Sequence, residues 1–404
     1  MTSWLEVPED SPFPVQNLPY GVFSLGDEAP RVGVALGDQI IDLAPLAAAA
    51  GLDGGHVFEA ENLNPFMALG RPAWSAVRSW LTELLTHPAE RGLVESHLIA
   101  AADVTMHLPF EVGDYVDFYS SQHHAENVGR IFRPDADPLT PNWKHLPVGY
   151  HGRAGTVVVS GTEIVRPRGQ RKAPADAAPT YGASARLDIE AEVGFVIGTP
   201  SRRGTPVPTG AFRDHVFGVC LVNDWSARDI QAWEYVPLGP FLGKSFATSV
   251  SPWVVPLEAL EAARVAAPPQ EPSVLPYLRD EEGWGLDLSL EVRWNGSVVS
   301  RPPFAGMYWT PAQQLAHLTV NGASLRTGDL FASGTVSGAD REQRGSFLEL
   351  SWNGSEPVTL EDGSTRTFLE DGDEVAISAW APSAGGSRIG FGAVTGRIAA
   401  ALTG

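Results

Sequence analysis

The run Leu187-Asp188-Ile189-Glu190-Ala191-Glu192-Val193-Gly194-Phe195 sets acids at every second position between apolar residues. With the two-residue period of a strand, Asp188, Glu190 and Glu192 share one face and the apolar residues the other. Neighbours on such a face lie roughly 6.5–7 Å apart. Ionised carboxylates at that spacing repel unless a cation lies between them or one takes a proton. This stretch alone allows two readings: a half-buried strand with a wet acidic face, or a cradle for a hard divalent cation such as Mg²⁺ or Ca²⁺, which takes oxygen ligands. The cradle requires further acids from elsewhere in the chain.

Other polar clusters supply candidates. In Asp114 to His124, strand alternation puts Asp117 and Tyr119 on one face, and a turn at Ser120-Ser121 brings a histidine, His123 or His124, back over them; a structural role for such a histidine is as common as a catalytic one. The loop Asn142 to Arg153 offers Tyr150, His151 and Arg153 as donors, a pattern shared by binding loops and well-bonded surface turns. An apolar strand from Phe217 to Asn223-Asp224 leads into a helix carrying Arg228, Gln231 and Tyr235 along one face, either a functional stripe or a solvated one. Lys244 is the lone charge of Pro237 to Ser245 in a chain with 25 arginines and three lysines. A compact ammonium in an apolar turn suits oxyanion stabilisation or proton transfer. Gly328 to Gly338 lacks the Gly-Lys-Ser/Thr ending of a phosphate loop and reads as backbone and Thr335 approaching a small ligand closely. Glu349, pointing opposite to its apolar neighbours Leu348 and Leu350, reads as a partner that orients a histidine or as a surface strand glutamate.

These residues need a scaffold, and 404 residues favour two domains over one. Arg31 to Leu36 and Gln39 to Leu43 alternate around Gly37-Asp38, a two-residue hairpin turn. Trp74, Val77, Leu81 and Leu84 repeat at helical spacing after Pro72, and a second helix is expected over about 90–100. From about residue 105, short Val-, Ile-, Phe- and Tyr-rich runs broken by Gly and Pro indicate a mainly antiparallel sheet architecture. Segments 166–180 and 256–275 read as surface excursions. The net charge of −20 argues against nucleic-acid binding, no 18-residue apolar span suggests a membrane segment, and a cytoplasmic location is expected. Cys220, the single cysteine, reads as a buried inert thiol.

Taken together, Asp117-Phe118-Tyr119-Ser120-Ser121, Pro147 to Arg153, Glu190-Ala191-Glu192, Asn223 to Asp229 and Gly243-Lys244-Ser245-Phe246 resemble the fumarylacetoacetate hydrolase family, with motifs in the same order from Leu18 to Gly392. The resemblance implies a mainly β fold with some α: a small SH3-like N-terminal domain, 1–104, before a mixed β-sandwich or roll catalytic domain, 105–404, as a homodimer. It also implies Ca²⁺ and/or Mg²⁺ held by Asp117, Glu190, Glu192 and Asp224, with a second, structural cation near Asp224, Lys244 and Thr248, where Lys244 ligates only through its carbonyl. Tyr119, Arg133, Gln231, Tyr235 and Thr335, with Tyr150 nearby, become substrate-binding residues. His124 becomes the base and Glu349 its orienting partner. Alignment to Ala125-Glu126-Asn127-Val128-Gly129 selects His124 over His123.

The expected reaction is hydrolysis of the carbon–carbon bond of 4-fumarylacetoacetate, a dianionic diketo acid, to fumarate and acetoacetate, the last step of tyrosine and phenylalanine breakdown. In this reading His124 activates water, a metal-bound enolate leaves, and Lys244, Arg228 and Gln231 serve as oxyanion donors, with Arg133 helping to offset the cradle's charge. The rivals are an acylpyruvate hydrolase, an enol–keto isomerase, a decarboxylase, and a catalytically silent Ca²⁺-stabilised protein. Decarboxylation needs no attacking water, so a His124–Glu349 pair favours hydrolysis.

Overall fold

Strand alternation and turn chemistry build the N-terminal region as expected. Arg31–Leu36 pairs antiparallel with Gln39–Asp42, Leu36 opposite Gln39, and Gly37 adopts the left-handed φ of 64° required at this tight turn. The helix Arg71–Thr86 follows, burying Trp74, Val77, Leu81, Leu84 and Leu85 along one stripe. The second expected helix is shorter than the sequence suggests. It spans Arg91–Glu95, and Leu98–Ala100 is instead a strand whose Ile99 lies opposite Ile40: the open edge of the hairpin captures these residues for the sheet. The computed structural model describes residues 3–402, so the outermost two residues at each end of the expected domain ranges lie outside the described residues.

One large sheet runs through the molecule. Its order joins Leu98–Ala100, Gln39–Asp42, Arg31–Leu36 and Tyr20–Ser24 to Trp253–Pro256, Val216–Asp224, Ala191–Ile197, Leu330–Ala332, Tyr115–Phe118 and Gly149–His151. The joint is the pairing of Tyr20 with Val254. A second, six-stranded sheet carries Ser289–Trp294, Glu374–Pro382 and Val394–Ala399. Most ladders are antiparallel, as expected of a mainly β chain with some α. The parallel pair Leu330–Ala332 and Tyr115–Phe118 brings distant segments of the chain side by side at the site.

Ala191–Ile197 is buried on both faces. Val193, Phe195 and Ile197 face a core with Leu221, Ile377 and Val394, while Val196 packs with Val222, Cys220 and Tyr20 in a second core. Full burial of Phe195 contributes about 1.5–3 kcal/mol. Cys220 is buried, and burial pushes its thiol up to about 12, which makes it inert. The strand begins later than the sequence suggests. Leu187–Asp188 forms a separate short ladder with Ser226–Ala227, leaving Ile189-Glu190 between the two. Of 256–275, the first part is no surface excursion: Leu257, Leu260 and Ala263 are buried.

Candidate active site

Four carboxylates converge because adjacent strands end together. Glu192 lies opposite Val222 and Ala191 opposite Asn223, so Glu192 and Asp224 arrive from neighbouring strands, with Glu190 just ahead of its strand. Asp117 arrives two strands away, opposite Ala332. Asp117, Glu190, Glu192 and Asp224 each offer an oxygen, all within 4.8 Å of one another, and all four residues are buried. Asp188, the third acid of the alternating stretch, stands outside this cluster. Glu190 and Glu192 thus stand in a buried acidic cluster able to hold a metal ion, and the face they share is not wet.

Three buried cations compensate this charge. Lys244 Nζ donates to Glu190 Oε2 at 2.5 Å and Asp224 Oδ2 at 2.6 Å. Arg228 pairs with Asp188 at 2.7 Å and approaches Glu190 Oε1 at 2.8 Å as an ion pair whose N–H direction is poor for a hydrogen bond. Arg153 is the third. Its Nη2 donates to Asp117 Oδ2 at 2.7 Å and Asp224 Oδ2 at 2.5 Å, and its guanidinium lies over the rings of Tyr115 and Tyr150. The sequence offers Arg153 as a donor of its loop but not as a partner of these carboxylates. Its usable signal was an Arg after Gly152, and the structure adds a left-handed φ of 55°, which aims it back into the cluster. The Asp117, Glu190, Glu192, Asp224 and Asp188 carboxylates against these three cations leave two negative charges at full ionisation, the complement of one divalent ion.

The environment drives these acids apart. Burial pushes Glu192 well above the usual carboxylate range, and Asp117, Asp224 and Glu190 push it the same way. Burial also raises Asp117, opposed chiefly by Arg153. For Glu190, Lys244 and Arg228 together outweigh the burial penalty and hold it well below the usual range. Both Glu192 oxygens are buried without a hydrogen-bond partner. Such orphaned acceptors cost about 1–3 kcal/mol each, and an all-oxygen donor set with an unpaired carboxylate fits a hard divalent cation. Thr248 donates to Asp224 Oδ1 at 3.0 Å.

Burial separates the two histidines. His123 is exposed, whereas His124 is 3% exposed and its Nδ1 lies 2.7 Å from Glu349 Oε2. The turn read at Ser120-Ser121 is the cap of an unforeseen helix, Gln122–Phe132, whose first turn carries His124; Ser121 Oγ accepts from His124 N. Nor is Glu349 on a surface strand. It is fully buried in the short helix Phe347–Leu350 and accepts from Asn127 Nδ2 at 2.9 Å, Ser337 Oγ at 3.0 Å and Ser346 Oγ at 2.8 Å. Burial alone would raise Glu349, but His124, Asn127 and Ser346 hold it below the usual carboxylate range. Asn127, Ser337 and Ser346 carry no periodic or compositional signal that would have marked them.

A cavity of about 510 Å³ joins the dyad to the carboxylates, lined by His124, Asp117, Glu190 and Lys244 on one side and by Tyr119, Arg133, Tyr150, Gln231, Tyr235 and Thr335 around the rest. Arg133 is exposed, its Nη2 donating to Pro138 O at 2.9 Å, and does not share in compensating the buried cluster. Gln231 accepts from Arg228 Nη1 at 3.1 Å, and Thr335 Oγ1 is buried without a partner. Gly334, at φ 77°, lies so close to Phe118 O that a Cβ there would clash, so the turn that presents Thr335 needs glycine.

Residues 16–109 match the model of the fumarylacetoacetase N-terminal domain and residues 115–399 that of the fumarylacetoacetate (FAA) hydrolase C-terminal domain. Human fumarylacetoacetase is 51% identical over 416 residues, covering 99% of each chain, and that of Arabidopsis thaliana is 46% identical over 415 residues, covering 98% of each. Among solved structures, a fumarylacetoacetate hydrolase from psychrophilic Exiguobacterium antarcticum shares the fold at 18% identity, with a TM-score of 0.57 over 95% of this chain and 99% of that one. A maleylpyruvate hydrolase from Sphingobium sp. SYK-6 does so at 14% identity and a TM-score of 0.53, over 95% and 100%. Two domain models in order and about half of all residues shared along the full length leave one conclusion, that the chain belongs to the fumarylacetoacetase family.

Proposed function

We infer that this enzyme hydrolyses the carbon–carbon bond of 4-fumarylacetoacetate to fumarate and acetoacetate, the final step of tyrosine and phenylalanine catabolism. The observation that carries the mechanism is His124, paired with Glu349, on the same cavity as Asp117 and Glu190 of the four-carboxylate cluster. Asp117, Glu190, Glu192 and Asp224 would hold Mg²⁺ or Ca²⁺, which supplies Lewis-acid polarisation of substrate oxygens and stabilises developing enolate charge. A structural cation beside Asp224, Lys244 and Thr248 belongs to the same reading.

His124 takes a proton from water as it attacks the carbonyl next to the fumaryl unit, and Glu349 fixes the ring's orientation and balances the imidazolium. Arg133 receives one substrate carboxylate at the cavity mouth, while Tyr119, Tyr150, Tyr235 and Thr335 place the chain of the diketo acid. Gln231 presents its amide N–H to the developing oxyanion, its oxygen being already engaged by Arg228. Lys244 and Arg228 act from within their ion pairs, as fixed positive charge beside the reacting oxygens.

The same reading makes the protein a cytoplasmic homodimer that binds neither nucleic acid nor membrane. Its net charge of −20 disfavours a phosphate backbone, and no helix among the described residues is long and apolar enough to cross a membrane. Val236, Leu238 and Phe241, 67%, 95% and 68% exposed within one short segment, are apolar side chains of the kind a second subunit covers. The test is loss of the diketone's ultraviolet absorbance on incubation with 4-fumarylacetoacetate. Activity should stop with chelator, return with Mg²⁺ or Ca²⁺, and yield fumarate and acetoacetate in equal amounts; an inert metal-loaded protein would overturn the substrate assignment.

A further inference from the structure

Asp188 belongs to the stretch that supplies two cradle ligands, yet it is not one of them. It is wholly buried, and four donors converge on its carboxylate. Oδ1 accepts from Ile189 N at 2.8 Å and from Phe347 N at 2.7 Å. Oδ2 accepts from Leu348 N at 3.1 Å and from Arg228 Nε at 2.7 Å. Two of these donors are the opening N–H groups of the helix Phe347–Leu350, which have no intrahelical partner, and the third residue of that helix is Glu349. Arg228 reaches past Asp188 to Glu190 at 2.8 Å and to Gln231 at 3.1 Å.

One carboxylate thus anchors both halves of the site. On one side it holds the helix that sets Glu349 against His124; on the other it holds the guanidinium that braces Glu190. We propose that Asp188 is a positioning residue that locks the base pair and the metal cradle into one geometry, touching neither substrate nor metal. Asparagine at this position keeps the size but replaces one acceptor oxygen with an NH₂ group, which must face either Ile189 N and Phe347 N or Leu348 N and Arg228 Nε, donor against donor. Whichever way it turns, a clamp on the Glu349 helix is lost, and the buried charge that pairs Arg228 is gone. Outer-shell partners of this kind typically contribute about 10–100-fold in metal affinity or activity.

The inference rests on the reading of His124 as the base and of the four carboxylates as the cradle, so its test uses two readouts that need no substrate. These are Mg²⁺ affinity by calorimetry and the downfield imidazole Nδ1–H resonance of ¹⁵N-histidine-labelled protein, which reports the His124–Glu349 hydrogen bond. In Asp188→Asn, Mg²⁺ affinity should weaken and kcat should fall, each about 10–100-fold, with KM little changed, and the resonance should broaden or disappear. Arg228→Lys keeps the positive charge but cannot bridge Asp188 to Glu190, so it should weaken Mg²⁺ binding while leaving the resonance in place. Val375→Ala, in the second sheet, is the control: it lowers stability and moves neither readout. If Asp188→Asn lowers stability alone, or moves only one readout, Asp188 does not couple the two halves. Should that variant fail to fold, unchanged Mg²⁺ affinity in Arg228→Lys overturns the proposal and weakened affinity supports it. Wild-type protein that binds Mg²⁺ and shows the resonance but does not turn over substrate would count against the hydrolytic reading instead.

Discussion

Glu192→Met should make the metal-free protein more stable and the metal-loaded protein less stable than wild type. Without metal, Glu192 keeps two buried oxygens that no donor reaches, beside Asp117, Asp224 and Glu190. Each unpaired buried acceptor costs about 1–3 kcal/mol, and replacing buried charge with an apolar side chain of similar volume is often stabilising by about 1–4 kcal/mol. Methionine is unbranched and adaptable, so no large cavity opens in the strand. We expect a gain of about 2–4 kcal/mol in chelator. With Mg²⁺ at about a thousand times its Kd, wild type gains ~4.1 kcal/mol by mass action, while the variant, short of one carboxylate, gains little. The two stability curves should therefore cross. Urea unfolding followed by tryptophan fluorescence, with chelator and with Mg²⁺, measures both arms. A variant less stable than wild type in chelator would refute the claim that Glu192 is unpaired in the empty cradle. Equal Mg²⁺ stabilisation of both proteins would refute its role as a ligand.

Two further outcomes follow from the dyad. His124→Ala should lose about 10²–10⁴-fold in kcat while retaining Mg²⁺ affinity, and His123→Ala, altering an exposed ring, should leave turnover intact; the reverse pattern would show the wrong imidazole to be the base. Because Glu349 is held below the usual carboxylate range by His124, Asn127 and Ser346, the stability it contributes is present above its unfolded pKa of about 4.3 and is lost as pH falls through the lower folded value. In chelator, wild type should lose stability below about pH 4.3 more steeply than Glu349→Gln, and parallel acid-unfolding curves would contradict this.

Much of the site was legible in the chain because local rules carry it. Glu192 stands in the strand that its alternation indicates, with Glu190 just ahead of it, the strand running to Asp224 and the helix bearing Arg228 and Gln231 stand where apolar run and spacing put them, and the two histidines of the Asp114 to His124 cluster already stood as alternatives. The N-terminal hairpin follows from Gly37-Asp38 alone.

Tertiary structure decided what local rules cannot reach. Whether the acidic face of Ala191–Ile197 met water or other acids depended on the parallel pairing that sets Asp117 beside Ala332, a contact between segments more than 200 positions apart. Glu349 reads equally as surface or partner in sequence, and only the packing of two helices, 225 positions apart, buries it against His124. Asp188 and Glu190 share a strand parity yet divide into anchor and ligand, because the ladder is interrupted between them and Arg228 occupies the gap. Arg153 enters the cluster through a left-handed backbone turn, which residue type does not announce. Periodicity specifies the direction a side chain takes from its own element; which charge it meets there is set by long-range pairing, and the buried carboxylates and cations leave no room for a different match.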